Sequence, residues 1–143
     1  MKIFFTTIVI LAFNNMVTAQ AIKNYKVANQ ANIAERTLML DLLRSSLKKD
    51  YQQDVVFSVN VFNVSNKYAW LKATAARKDG QPIKFKADDA DFMDCCHVEA
   101  LFIKKSTGWA IAESGSFSTD VWYDGIWKKY NAPVAIWGSD YHN

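Results

Sequence analysis

The sequence has 143 residues, of which 50% are hydrophobic and 22% are charged, and its formal net charge is +3. This length suits one domain with a single core and is too short for two. The lysine pairs at 48–49, 104–105 and 128–129 fall in separate predicted elements. Because phosphate binding needs basic residues gathered on one face, we expect no nucleic-acid partner.

The N-terminal stretch "MKIFFTTIVILAFNNMVTAQ" joins the basic residue Lys2 to an apolar run and then to small residues. This order is typical of a secretory signal peptide. The apolar run is about half of the roughly 20 residues that a membrane span requires. We therefore expect a signal peptide over residues 1–19, with cleavage after Ala19 or Ala21, and a single domain over residues 22–143. The mature chain should have no membrane span and should be periplasmic or secreted.

The segment "NIAERTLMLDLLRSSLKKDY" predicts a helix from Asn32 onward. Asn32 as N-cap and Glu35 three residues later match a capping box, in which each side chain bonds a free backbone amide of the first turn. At a 3.6-residue period one broad flank of this helix is apolar. Such a flank suits a helix that lies across a sheet. Its members are Ile33, Leu38, Met39, Leu40, Leu42, Leu43 and Leu47.

Beyond Gln53 the hydrophobic period changes to two, which predicts strands. Residues 54–78 form a predicted hairpin, with a bulge where the apolar phase shifts near Phe62. A short strand over residues 83–86 and a second hairpin around the turn Ser106-Thr107-Gly108 follow. The strands of that second hairpin are predicted over residues 92–105 and 109–114.

The aromatic tail "FSTDVWYDGIWKKYNAPVAIWG" should fold back on the sheet as a short helix and an extended end. Ser118, Thr119 or Asp120 would cap the helix, and Pro133 would mark its end. The predicted fold class is α+β, with one N-terminal helix packed on a curved antiparallel sheet of four to five strands. Among such shapes, a cystatin-like or nuclear-transport-factor-like roll is the first expectation.

The stretch "DFMDCCHVEALF" concentrates possible metal ligands and nucleophiles. If it is a strand, alternate side chains face opposite ways. Cys95, His97 and Glu99 then share one face with Met93 and Leu101. Ligands at positions i and i+2 of a strand can converge on one ion, but ligands at i and i+4 do so only with strain, and structural zinc sites usually need four ligands. We therefore expect no metal and no cofactor. The opposite face should pack on the core, through Phe92, Cys96, Val98, Ala100 and Phe102.

A second reading of this strand is a thiol-dependent hydrolase with Cys95 as nucleophile and His97 as base. The sequence offers no orienting third group and no oxyanion donors, so we expect no catalytic residues and no enzymatic activity. The two cysteines are adjacent. Alpha carbons lie about 3.8 Å apart across a trans peptide, whereas a disulfide needs about 4.4–6.8 Å. The sequence therefore predicts two thiols.

The acidic residues before this strand do not match a calcium-binding loop. Such a loop needs oxygen ligands at alternate positions, a glycine at its sixth position and a glutamate at its twelfth. The register of the acidic residues does not fit, and we expect a solvated loop formed by Asp88, Asp89, Asp91 and Asp94.

Five tryptophans include three in the C-terminal tail. They can cover the open side of the sheet, or they can line a cleft for a ligand such as a sugar ring or a peptide. The candidate ligand-binding residues are Trp109, Trp122, Trp127 and Trp137.

Several stretches resemble an uncharacterised family of small exported bacterial proteins. They are the helix end "LDLLR", the strands "VVFSVNVFNV" and "YAWLKATAARKDGQPI", the hairpin "VEALFIKKSTGWAI" and the tail "TDVWYDGIWKKYNAPVAIW". The resemblance covers about four fifths of the mature chain and implies an exported α+β protein without assigned catalytic residues. The doubled cysteine and His97 depart from the family pattern.

We therefore expect a small exported bacterial protein that acts as a non-catalytic binding module for an envelope component or an envelope protein. One alternative is an inhibitor of an envelope enzyme, which the size, the export signal and the cystatin-like outline suggest. The other alternative is the thiol-dependent hydrolase that would use Cys95 and His97.

Overall fold

The computed structural model describes residues 21–140, and the predicted signal peptide over residues 1–19 lies outside them. The chain forms one long helix and a five-stranded antiparallel sheet with strand order β1-β2-β3-β4-β5, which confirms the α+β class. The cystatin-like or nuclear-transport-factor-like outline stays a prediction. The elements are β1 Lys23–Asn24, α1 Ile33–Tyr51, β2 Val55–Ser65, β3 Tyr68–Arg77, a 3-10 helix Ala90–Phe92, β4 His97–Lys105, β5 Gly108–Ser116, α2 Ile126–Tyr130 and a second 3-10 helix Val134–Asp140.

Both predicted hairpins are confirmed. Strands β2 and β3 pair with a register shift between Val59 and Val61, which is the predicted bulge. Strands β4 and β5 pair around the turn at residues 106–107. A second shift between Leu101 and Phe102 leaves Ala112 as the extra residue of β5, and Tyr130 Oη donates a hydrogen bond of 3.2 Å to the Ala112 carbonyl. Among the described residues, no helix combines the length and the hydropathy of a bilayer span.

Helix α1 begins where the sequence predicts, but the prediction of a capping box between Asn32 and Glu35 is wrong. The Asn32 side chain accepts a hydrogen bond from the Asn29 amide at 2.9 Å and donates one to the Val27 carbonyl at 3.0 Å. It makes no cap to the first turn of the helix. The carboxylate of Glu35 instead accepts a hydrogen bond from Tyr25 Oη. Both side chains therefore fasten the helix start to the preceding segment.

The helix-side core lies between α1 and one face of the sheet. Met39, Leu40, Leu43 and Leu47 are the buried residues of the helix. The apolar arc is narrower than predicted, because Ile33 and Leu38 at its edges are exposed. The sheet contributes mainly small and medium-sized side chains to this core, among them Val64, Ala69, Leu71, Ala73, Ala75, Val98 and Ala100.

The tail-side core lies on the opposite face of the sheet and is rich in aromatic residues. Trp70 of β3 stacks on Trp137 with 5.0 Å between ring centroids. Tyr68 Oη donates a hydrogen bond of 2.6 Å to the Tyr130 carbonyl, and Asn63 Nδ2 donates one of 2.9 Å to the Ile136 carbonyl. The predicted return of the tail to the sheet is therefore confirmed.

The predicted start of the tail helix and the predicted extended end are wrong. The short helix α2 begins at Ile126, so Ser118, Thr119 and Asp120 do not cap it. Ser118 Oγ bonds the backbone of Asp120 in a separate turn. The helix ends at Tyr130, three residues before Pro133, in agreement with the proline as an end signal. A kinked 3-10 segment takes the place of the predicted extended end.

The connection between β3 and β4 contains no strand over residues 83–86, contrary to the prediction. The side chain of Gln53 accepts a hydrogen bond from the Lys84 amide and donates one to the Lys84 carbonyl. These two bonds take the place of a neighbouring strand. Strand β4 begins only at His97, and Phe92, which was predicted to face the core, is 75% exposed. The predicted alternation therefore fails for residues 92–96.

Candidate functional site

The tail covers only one end of its face of the sheet. Beyond the buried pair Trp70 and Leu101, the next row across the sheet consists of Lys72 of β3, Glu99 of β4 and Gly115 of β5, which lie opposite one another in register. A charged row thus starts where the aromatic packing ends.

Gly115 allows the chain to pass close above this row. A Cβ atom at Gly115 would overlap the indole ring of Trp122, so no larger residue fits beneath that ring without a shift. Trp122 lies 6.3 Å from Trp70, measured between ring centroids, and its Nε1–H donates a hydrogen bond of 3.4 Å to Glu99 Oε2. The indole therefore connects the aromatic packing to the charged row.

Glu99 is the buried acid of the site, with 2% of its surface exposed. Its Oε1 lies 2.8 Å from His97 Nδ1, and the other ring nitrogen, Nε2, lies 3.5 Å from Asp94 Oδ2. A neutral imidazole can donate to only one of these carboxylates, whereas a protonated ring donates to both. The three side chains form a chain of contacts that leads from the sheet to the solvent.

An open cleft of about 240 Å³ lies above these residues. Its floor consists of side chains from the strands, namely Lys72, His97 and Glu99, and Asp94 lies beside them. Its wall consists of Tyr123 and residues 118–121, which form the turn before the tail helix. Lys72 Nζ lies 6.0 Å from the centroid of the Tyr123 ring, so the wall and the floor are in contact.

The two cysteines form a disulfide and do not line this cleft. Cys95 is bonded to Cys96 across a cis peptide, with 3.0 Å between their alpha carbons, and the prediction of two thiols is wrong. That prediction assumed a trans peptide inside a strand, whereas both residues precede the start of β4. Cys96 packs in the helix-side core as expected, and Cys95 is exposed.

Three of the four candidate tryptophans, Trp122, Trp127 and Trp137, belong to the tail-side core, whereas the fourth lies on the other face of the sheet. Trp109 lies in the helix-side core, where Lys104 Nζ is 5.5 Å from its ring centroid. Trp137 is fully buried in the tail-side core, and Trp127 packs against it edge to face. Trp122 does not line the cleft itself, but it donates a hydrogen bond to Glu99, which does. Their role in ligand binding stays a prediction.

The acidic residues and His97 do not converge as metal ligands. Asp94 and Glu99 lie on opposite edges of the His97 ring, so the ring separates the two carboxylates. Within residues 21–140 no group of three or more His, Cys, Asp or Glu side chains is arranged to hold a metal ion. Asp88, Asp89 and Asp91 are exposed in the connection that precedes β4.

The sequence pattern did not identify Lys72, Tyr123 or the turn at residues 118–121 as parts of a site. The sequence does not distinguish Lys72 from the other lysines. It belongs to the site because it lies opposite Glu99 in the sheet register. One signal was available, because a glycine inside a strand often marks a close approach of another part of the chain. Gly115 is such a glycine, and Trp122 is the residue that approaches it.

Comparison with known proteins adds no second source of information about this cleft. No family model, curated protein or solved structure matches the chain. Its possible role therefore follows from the contacts, burial and charges of its own residues.

Proposed function

We propose that this protein is an exported, non-catalytic binding module and that the cleft beside Glu99 captures its ligand. The observation that carries the proposal is the buried carboxylate of Glu99, which His97 and Trp122 hold at the floor of an open cavity. Removing a carboxylate from water is costly unless polar partners compensate for the lost hydration. A buried acid held in this way at the base of a cleft is suited to orienting a ligand.

The surroundings of the cleft support binding over thiol chemistry. Only the thiolate form of a cysteine is a nucleophile, and the sulfur of Cys95 is bonded to Cys96. Both ring nitrogens of His97 face carboxylates, and neither faces a cysteine sulfur. The alternative of an inhibitor of an envelope enzyme is compatible with the same cleft, and the identity of the captured component distinguishes it.

The proposal of export rests on the signal-peptide pattern of residues 1–19. We place the protein in the bacterial periplasm or outside the cell, which follows from that pattern and from the family resemblance. The ligand is then an envelope component or an envelope protein.

The binding role of the cleft can be tested by a substitution that places a large side chain in the cleft and leaves both cores unchanged. Val121 lines the cleft and is 60% exposed, so Val121→Trp adds a large ring at the cleft without displacing core residues. Val134→Trp is the matched control, because Val134 is also an exposed tail valine and does not line the cleft. Each immobilised mature protein is incubated with bacterial envelope extract, and the retained molecules are identified by mass spectrometry.

We expect one component that the wild type and Val134→Trp retain and Val121→Trp loses. Circular dichroism and thermal melting of the three proteins show whether each is folded. If the folded proteins all retain the same set of molecules, or if none of them retains anything above the bare resin, the cleft is not the binding site.

A further inference from the structure

The charge of the cleft is opposite to the charge of the chain. The whole sequence has a formal net charge of +3, yet the cleft contains three carboxylates against one lysine and one histidine. The cleft is thus negative whether His97 is neutral or protonated. We infer that the ligand group which enters the cleft is a protonated amine, an inference that rests on the proposed function of the cleft.

The exposed carboxylates are at the rim of the cleft. The Asp94 side chain is 63% exposed, and Asp120 is exposed as well. The turn that carries Asp120 is held by the Ser118 hydroxyl, which accepts a hydrogen bond from the Asp120 amide and donates one to the Asp120 carbonyl. The turn therefore does not need the carboxylate of Asp120, which lines the cleft and can face a ligand.

The wall of the cleft also suits a cation. The face of a tyrosine ring attracts cations through its quadrupole. Lys72 Nζ already lies 6.0 Å from the centroid of the Tyr123 ring, so this ring contacts an ammonium group of the protein itself, and the ligand ammonium is expected at the rim carboxylates of Asp94 and Asp120. Ser118 and Thr119 add hydroxyl oxygens that can accept hydrogen bonds.

An ammonium group fits this arrangement better than a metal ion or an anion. A metal ion needs ligand atoms that converge at about 2.0–2.6 Å, whereas the His97 ring separates Asp94 from Glu99. An ammonium group has three N–H donors that point in different directions and can bond acceptors on separate sides of a cleft. A ligand carboxylate or phosphate would instead approach the carboxylates at the rim and be repelled.

The experiment uses the indole N–H signal of Trp122 in ¹⁵N-labelled mature protein. This N–H donates to Glu99 at the floor of the cleft, while Trp109 and Trp137 lie in the two cores and serve as internal controls. The probes are n-butylammonium chloride, n-butanol and sodium butyrate, which share a butyl chain and differ in charge. We expect a saturable shift of the Trp122 signal with butylammonium, weakened by added salt, and no comparable shift with the other two probes.

Asp120→Asn should weaken butylammonium binding by about fivefold, because one rim charge is lost. Asp124→Asn is the matched control, since Asp124 is also an exposed tail aspartate and does not line the cleft. The inference is overturned if butylammonium and butanol shift the Trp122 signal alike, if butyrate binds more tightly, or if both substitutions weaken binding equally.

Two peptides distinguish a free amine from a lysine side chain of an envelope protein. Acetyl-Ala-Lys-Ala-amide should bind at least as tightly as butylammonium if the natural ligand is a polypeptide, and acetyl-Ala-Gln-Ala-amide should not bind. Weaker binding of the lysine peptide assigns the site to small amines, and equal binding of the two peptides contradicts the inference. If the Val121→Trp substitution abolishes capture of an envelope component that carries no amine, the proposed function stands and the ammonium inference fails.

Discussion

Helix α1 covers the helix-side face of the sheet with one continuous element, whereas the tail covers only one end of the opposite face. With 19 residues, α1 is about 28 Å long at 1.5 Å per residue, close to the length of the strands it crosses. The tail covers its face with the five-residue helix α2 and a seven-residue 3-10 segment that is kinked at Gly138. The aromatic packing of the tail ends at the Lys72–Glu99–Gly115 row, where Trp122 lies over Gly115 and the cleft opens beside Glu99.

Strand β3 presents side chains of different size to the two faces. Strand β3 presents Ala69, Ala73 and Ala75 to the helix, and it presents Tyr68 and Trp70 to the tail. Small residues let the wide cylinder of a helix approach the sheet closely. On the tail side the covering elements are short, and large aromatic rings fill the space between them and the sheet. The same strand therefore serves two different kinds of packing because its side chains alternate in direction.

The largest expected effect comes from removing the fully buried indole of the tail. Trp137→Ala should lower the free energy of unfolding by about 3–5 kcal/mol, because it leaves a cavity against Trp70 and Ile136. Urea denaturation followed by circular dichroism measures the change. Trp127→Ala is the control and should cost less, since Trp127 is only partly buried. A loss below about 1 kcal/mol for Trp137→Ala would mean that the tail is not a second core.

The corresponding change on the helix side is Leu43→Ala. Leu43 is fully buried between α1 and the sheet, so the expected loss of unfolding free energy is about 2–5 kcal/mol. Leu38→Ala, in the same helix at a position that is 48% exposed, should change the unfolding free energy by less than about 1 kcal/mol. Equal losses for the two leucines would contradict the packing of the helix as described.

The helix-side face was predictable because its pattern is local. A 3.6-residue period identified Met39, Leu40, Leu43 and Leu47, and a phase shift near Phe62 identified the bulge. The cap at Asn32 was not predictable in the same way. The Asn32 side chain can form hydrogen bonds either with the first turn of the helix or with the preceding segment. It bonds Val27 and Asn29, because that segment folds back over the start of the helix.

The candidate site was less predictable, because its contacts join distant parts of the chain. The pattern placed His97 and Glu99 on one face, and the structure confirms that they are neighbours. Glu99 also accepts a hydrogen bond from Trp122, which lies 23 residues later in the sequence, after a turn. Hydrophobic periodicity does not predict where such a turn places the residues that follow it. The prediction of two thiols assumed a trans peptide between Cys95 and Cys96, whereas that peptide is cis.

The junction between the packed and the open parts of the tail-side face can be tested at Gly115. Gly115→Ala should lower the free energy of unfolding by about 1–3 kcal/mol, because the added methyl group overlaps the Trp122 ring. Ser114→Ala, one position earlier and exposed, is the control and should have little effect. Replacing Trp122 by Leu in the Gly115→Ala protein should recover part of the loss. If it does not, the overlap with Trp122 is not the cause.

The smallest expected effect lies on the helix side, at an ion pair that joins α1 to β4. Glu35 accepts hydrogen bonds from Lys104 Nζ and from Tyr25 Oη. The hydrogen bond from Lys104 is the main cause that lowers the pKa of Glu35 below its ordinary 4.5; burial opposes this shift, and the hydrogen bond from Tyr25 lowers the pKa further. Both side chains of the ion pair are more than a third exposed, so solvent screening limits its contribution to about 0.2–1 kcal/mol.

The sign of the pH dependence follows from the lowered pKa of Glu35. A carboxyl group whose pKa is lower in the folded state stabilises the fold above its unfolded pKa and loses this contribution as the pH falls through its folded pKa. The difference in unfolding free energy between the wild type and Glu35→Gln should therefore be full at pH 6–7, decline below about pH 4.5 and approach zero in stronger acid. Urea denaturation of both proteins from pH 7 to pH 3 measures it. Asp41→Asn serves as the control for a carboxylate on the solvent side of the same helix. A difference that grows with acidification would contradict the assigned contacts of Glu35.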